Sequence, residues 1–328
     1  MLGKNLGEKR DTELHREGTE LHRGEESERE RISCMFPLPC PLPPAPCPSA
    51  LRENPMNTIP FYNFGGDGPL LHFAAPNAYT PETFRQFIEP FLAHYRVIAT
   101  YHRPLWSNTS PDELGTDWHI IADDLIRFFE QEDIRPQVAM GHSLGAVSTV
   151  YAAVKRPELF QTLVLVDPVF LPPHILQMAA ANPNMMRQHM PMVDRAFNRK
   201  NRWSTRQAAF NRFREKKVFG RWSDEALWDY VNHSIAESNG EFVLRWPRDW
   251  EAAFYANPPQ KVWEAIAQVK HPTLAIRGTE TDTLFPDAWA NWQQLQPHAT
   301  FVELPDVGHM MMMERPLLVA NTILNYLK

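Results

Sequence analysis

The sequence predicts an α/β protein: a mostly parallel, twisted sheet flanked by helices, with a helical cap inserted near its end. Three observations carry this. From Leu70 onward, short apolar runs alternate with amphipathic stretches, the rhythm of a parallel sheet covered on both faces. One of those runs, Val138–Met140, passes through a glycine-flanked turn straight into a helical stretch. The interval 170–269 then breaks the rhythm with helical segments rich in Trp and Met and no clear strand.

Each element has its own signal. Gly65-Gly66-Asp67-Gly68 is a turn before the run Leu70-Leu71-His72-Phe73. Thr80 followed by Pro81 reads as N-cap and first helical position, with Phe84, Phe87, Ile88 and Phe91 at helical spacing behind them. Val97–Thr100 reads as a strand, and Trp118, Ile121, Leu125 and Phe128 share one helix face. Leu163–Val166, Leu274–Ile276 and Phe301–Leu304 complete the strands, and a last helix covers roughly 317–327. The expected division is therefore a core of 56–169 and 270–328, with the cap at 170–269 above the sheet's C-terminal edge, where open α/β sheets bind ligands.

Composition sets the outer bounds. The chain has 328 residues, 43% apolar and 22% charged, with net charge −6, which is ordinary for a globular protein. That balance argues against a nucleic-acid binder, which needs a basic footprint. No run is long and apolar enough for a membrane span, and no apolar core follows a basic start as in a secretory signal. All three cysteines, Cys34, Cys40 and Cys47, precede Met56, so the core needs no disulfide and suits a reducing, cytoplasmic setting.

Residues 1–55 are a different kind of chain. Residues 1–31 are almost wholly polar, and Thr12-Glu13-Leu14-His15-Arg16 recurs as Thr19-Glu20-Leu21-His22-Arg23, too little for a coiled-coil seam. Seven prolines between Phe36 and Pro48 exclude helix there. Disorder is expected for this extension. Met56 reads as a natural domain start, which makes 1–55 a dispensable tail or an over-extended reading frame.

The chemistry centres on Gly141-His142-Ser143-Leu144-Gly145, a G-x-S-x-G turn between a strand and a helix. Such a serine sits on a strained bend whose flanks must be glycine, because side chains there would collide. From about Met56 to the C-terminus the chain resembles the α/β-hydrolase superfamily, most of all capped bacterial serine hydrolases with a His-Phe-Ala segment after the family's third sheet strand. The resemblance implies that Ser143 is a nucleophile. It also implies that His309, in Leu304-Pro305-Asp306-Val307-Gly308-His309 after the last strand, is its base.

The acid has three candidates. The loop Arg277-Gly278-Thr279-Glu280-Thr281-Asp282 carries two of them. Many relatives place the acid three residues after this glycine, where Thr281 stands, and others one later, which matches Asp282. Asp282 is the expected acid, Glu280 the second candidate and Asp167, at the end of Leu163–Val166, the third. The plainer reading of Asp167 is a carboxylate capping the turn before Pro168. The oxyanion hole is expected from the backbone N–H groups of Leu144 and Phe73, although relatives carry His-Gly where this chain has His72-Phe73. His72 and His142 read as packing and hydrogen-bonding residues.

Together these residues imply acyl transfer to water on a small-molecule carboxylic ester, lactone or thioester with an apolar acyl or alkyl group, with turnover lost in acid as the imidazole charges. Met178, Met185, Met186, Met190 and Met192, with Trp203, Trp222, Trp228, Trp246, Trp250 and Trp263, supply cap core or an adaptable apolar acyl pocket. Between Arg187 and Arg221 lie eleven basic and two acidic side chains, read as a solvated face or as a lure for anionic substrates and lipid head groups. The alternatives on this fold are C–C bond hydrolysis, haloperoxidase-like chemistry and hydroxynitrile lysis; from another class, an idle binding module. With no H-E-x-x-H, no paired C-x-x-C and no phosphate loop, neither metal nor cofactor is expected.

Overall fold

The computed structural model describes residues 58–182, 186 and 190–328. The expectations for residues 1–55 and for Met185 lie outside the described residues. Seven strands form the main sheet: β1 (Phe61–Gly65), β2 (Leu70–Ala74), β3 (Arg96–Thr100), β4 (Val138–His142), β5 (Thr162–Val166), β9 (Thr273–Gly278) and β10 (Thr300–Leu304). Their order is β1-β3-β2-β4-β5-β9-β10. Every neighbouring pair is parallel except β1 with β3. The parallel sheet agrees with the sequence expectation. Strand β1 was not anticipated; it is an edge strand with Phe61 and Asn63 exposed, so its apolar run is weak.

Both faces of the sheet are covered, and the period-2 alternation of the strands sorts their side chains between them. Ala139, Leu163, Leu165 and Ala275 point to one face. There α1 (His119–Gln131) and α2 (Leu144–Lys155) pack through Leu125, Phe128, Val147 and Val150. Val138, Met140, Val164, Val166, Leu274 and Ile276 point to the other, against Phe84, Phe87 and Phe91 and the C-terminal helix Pro316–Leu327. The expected Thr80 cap is not made. Its hydroxyl pairs with the Thr83 hydroxyl at 3.2 Å, and the segment starts as a 3₁₀ turn at Pro81–Phe84 before the short helix Arg85–Ile88.

Between β5 and β9 lies an insertion of helices: α3 (Pro173–Ala181), α4 (Pro191–Asn198), α5 (Arg206–Arg214), α6 (Asp224–Ser234), α7 (Arg248–Ala256) and α8 (Val262–Ile266). It also contains a small antiparallel sheet, β6 (Arg202–Trp203), β7 (Ile235–Ser238) and β8 (Glu241–Leu244), in the order β6-β8-β7. The absence of strands expected for this interval is thus corrected. The strands are two and four residues long, too short to show a pattern. The one local signal was Asn239-Gly240, both at positive φ (53° and 78°), the pair that two-residue hairpin turns demand. Trp203, Trp222, Trp246 and Trp250 are buried in the two cores that flank the main sheet, whereas Met178 and Met192 are exposed.

Candidate active site

Ser143 stands between the end of β4 and the start of α2 with φ 55° and ψ −115°, a left-handed bend that lifts its side chain out of the sheet. The two glycines are sterically required. A Cβ on Gly141 would lie 2.4 Å from the Gly145 carbonyl oxygen, and one on Gly145 would lie 2.0 Å from that of Ala74. Both clashes are with backbone, which cannot swing aside. The bend is held by the Ser143 N–H donating to Val166 O at 3.1 Å.

The structure brings His309 to this serine from a loop 166 residues away, with Nε2 3.0 Å from Ser143 Oγ. The other ring nitrogen, Nδ1, lies 2.6 Å from Asp167 Oδ2. A carboxylate only accepts, so Nδ1 carries the proton and Nε2 offers its lone pair to the serine hydroxyl.

Asp167, not Asp282, is therefore the carboxylate that meets His309. Asp282 is exposed, and Glu280 is exposed and ion-paired with Arg221. Thr281 explains the exchange: its hydroxyl donates to the same Asp167 Oδ2 at 2.5 Å, and its oxygen accepts from Thr283 N at 3.1 Å. Asp167 is fully buried at φ 42°, its N–H bonded to Ile276 O at 2.8 Å, and Oδ1 has no hydrogen-bond partner among the described residues. Burial pushes its carboxyl above the usual carboxylate range, opposed by His309, Thr281 and Arg277.

Several contacts position the His309 loop. Gly278 lets it pass close by, since a Cβ there would lie 2.4 Å from Val307 O. Gly308 N donates to Glu314 Oε2 at 2.9 Å, and Glu280 N to Val307 O at 3.0 Å. His142 Nε2 donates to the His309 carbonyl at 2.9 Å. Burial, then the neighbouring His309, hold the His142 imidazole well below its ordinary range, so it stays neutral. His72 meets the Thr100 hydroxyl at 3.1 Å, and burial lowers it to about 3. Sequence reasoning missed His102, whose Nε2 donates to Ala75 O at 2.8 Å and which burial lowers to about 4.

The oxyanion donors divide. Leu144 opens α2, where N–H groups have no intrahelical partner. Phe73 lies inside β2, paired with Ala99 on one side and Met140 on the other. Pro69 O faces β3 and Leu70 O faces β4, so by alternation the Phe73 N–H faces β3 and belongs to the ladder. Ala75, the first residue past β2, abuts the serine turn instead: its carbonyl oxygen lies 2.8 Å from a Cβ on Gly145.

The model of the alpha/beta hydrolase family matches residues 68–322. The chain belongs to the alpha/beta hydrolase family. Among individual proteins, this alpha/beta hydrolase is 23% identical over 230 residues to abhydrolase domain-containing protein ACTT2 of Alternaria alternata, covering 59% of this chain and 83% of that protein. The structure of E-2-(acetamidomethylene)succinate hydrolase superposes with a TM-score of 0.68 at 19% identity, covering 81% of this chain and 94% of that one. The thioesterase domain from the curacin biosynthetic pathway gives 0.66 at 17% identity, with the same coverage. These likenesses concern the fold. Among the described residues, no group of His, Cys, Asp and Glu is placed to hold a metal ion, and no helix is long and apolar enough to cross a membrane.

Proposed function

We propose that this alpha/beta hydrolase is a serine hydrolase that cleaves carboxylic esters of small molecules through an acyl-enzyme. The observation that carries the reading is the relay from Ser143 Oγ to His309 Nε2 at 3.0 Å and from His309 Nδ1 to Asp167 at 2.6 Å. Ser143 attacks the ester carbonyl as His309 takes its proton. Asp167 holds the ring and stabilises its cationic form. The negative charge that develops on the carbonyl oxygen is received by the N–H of Leu144, with a second donor drawn from the loop after β2 in place of Phe73. Loss of such a donor typically costs about 2.7–4 kcal/mol of transition-state stabilisation. His309 returns the proton to the leaving alcohol, and water then repeats the cycle, releasing the acid and restoring Ser143.

The insertion covers the sheet as a cap and shapes the acyl pocket. Of the eleven basic side chains between Arg187 and Arg221, Arg199, Arg202, Arg212, Arg214 and Arg221 have an acidic group within ion-pair distance, so part of the stretch reads as an ion-paired, solvated face. The test is labelling by a fluorophosphonate in wild type and Ser143→Ala, followed by a panel of p-nitrophenyl esters. Labelling confined to wild type, with ester turnover, is expected. Labelling that survives the substitution overturns the nucleophile; labelling without ester turnover moves the reading to C–C hydrolase, haloperoxidase-like or lyase chemistry.

A further inference from the structure

A second polar cluster sits in the insertion and is not used by the mechanism above. Arg199 follows α4, Tyr230 is on α6, Glu251 and Tyr255 lie one turn apart on α7, and Tyr79 belongs to the loop leaving β2. The Arg199 side chain is 21% exposed, and its Nε is 2.8 Å from Glu251 Oε2. Yet Arg199 Nε and Nη2 and Glu251 Oε2 have no hydrogen-bond partner among the described residues. The two charges attract, but the N–H directions miss the oxygen. A guanidinium ordinarily grips a carboxylate through two parallel N–H bonds, and here that grip is not made.

Three phenols lie within electrostatic reach of the pair. Tyr79, Tyr230 and Tyr255 each interact electrostatically with both Arg199 and Glu251, and the rings of Tyr79 and Tyr230 are 5.2 Å apart. Tyr79 and Tyr255 are only half-buried, so the cluster reaches solvent.

Two links tie the cluster to the reaction centre. Asn77, on the same loop as Ala75, reaches Glu251 O with its Nδ2 at 3.5 Å. Tyr255 interacts with Asp282, whose neighbour Thr281 is bonded to Asp167. The loops that flank Ser143 and His309 thus also adjoin the cluster.

We propose that Arg199, with the hydroxyls of Tyr79, Tyr230 and Tyr255, receives a carboxylate of the substrate, so that the preferred esters carry a free acid group away from the scissile carbonyl. This rests on the serine-hydrolase reading. N–H and O–H donors dominate the cluster, which suits an acceptor. A cationic group would meet the Arg199 charge, and a phosphate dianion asks for more than one partly neutralised guanidinium. Glu251 holds Arg199 in the free protein; burial pushes its carboxyl up, against the pull of Arg199, so it is readily neutralised when a second carboxylate arrives. Asp282, the other anion nearby, is exposed and screened by water.

The test uses the full chain and two esters that differ only in charge: 4-nitrophenyl hydrogen glutarate and its methyl-blocked counterpart. Wild type is expected to favour the acid by about tenfold or more in kcat/KM, the scale of one charge-assisted hydrogen bond. Arg199→Gln combined with Glu251→Gln, which leaves no unpaired buried charge, should abolish the preference by raising KM for the acid. Tyr255→Phe, which removes one donor and no charge, should weaken it, and serves if the double variant does not fold. As a readout without turnover, monomethyl glutarate should raise the melting temperature of wild type and not that of the Arg199 variant, while dimethyl glutarate raises neither. Equal use of the two esters by wild type, a preference that survives in the variants, or a melting shift indifferent to Arg199 each overturns the subsite. A shift that depends on Arg199 in a protein whose Ser143 takes no fluorophosphonate keeps the subsite and removes the hydrolase reading alone.

Discussion

Asp167 carries the sharpest consequences at the level of single residues. Its carboxylate accepts from both His309 and Thr281, whereas Asp282 faces solvent. Asp167→Asn should therefore lower kcat on the order of 10⁴-fold, the effect of misorienting the imidazole in such relays, while Asp282→Asn should leave it nearly unchanged in steady-state assays. The stability effect has the opposite sign. A carboxyl raised above its unfolded value binds more protons when folded, so its burial cost is present above the folded pKa and is relieved as pH falls through it. Thermal melts at neutral pH should find Asp167→Asn no less stable than wild type, and that advantage should shrink on acidification. His142 is a positioning residue by the same geometry: it hydrogen-bonds the His309 carbonyl, and its ring lies 5.0 Å from the His309 ring. His142→Ala should lower kcat with KM little changed, and His142→Gln, which keeps a donor near Nε2, should restore part of it.

Among elements, the serine turn is the most constrained. Gly145→Ala sets a Cβ against the Ala74 and Ala75 carbonyls, so α2 or the strand end must shift. A loss of about 1–3 kcal/mol in denaturant melts is expected, with activity falling further than stability alone explains. This turn was fully legible in the sequence, as was the His309 loop, because each is a local pattern beside a strand. The acid was not. Asp167 and Asp282 both stand just after a strand, and which one meets the imidazole depends on how the ends of β5, β9 and β10 lie side by side. No single segment encodes that. The occupancy of the usual acid position by Thr281 was the available clue, since an uncharged residue there leaves the carboxylate to come from elsewhere. The β6-β8-β7 sheet was hidden for another reason, its strands being shorter than any readable alternation.

On the scale of the whole molecule, the fold class followed from alternation alone, because β2, β4, β5 and β9 are buried on both faces and read as continuous apolar runs. Two features escaped that logic: the exposed edge strand β1 and the insertion's polar cluster, whose Arg, Glu and Tyr residues come from distant segments. The family match begins at residue 68, so a chain starting at Met56 is expected to keep its melting temperature and ester turnover; a loss of either would show that residues 1–55 contribute.

The imidazole follows β10, one of the two edge strands, which among the described residues has a neighbour on one side only. Borders of a sheet fray before its middle does. Warming should therefore silence the protein while most of its helices and inner strands are still intact, and brief cooling should revive it. Tracking turnover and circular dichroism through one heating ramp would reveal two separate midpoints, the functional one lower.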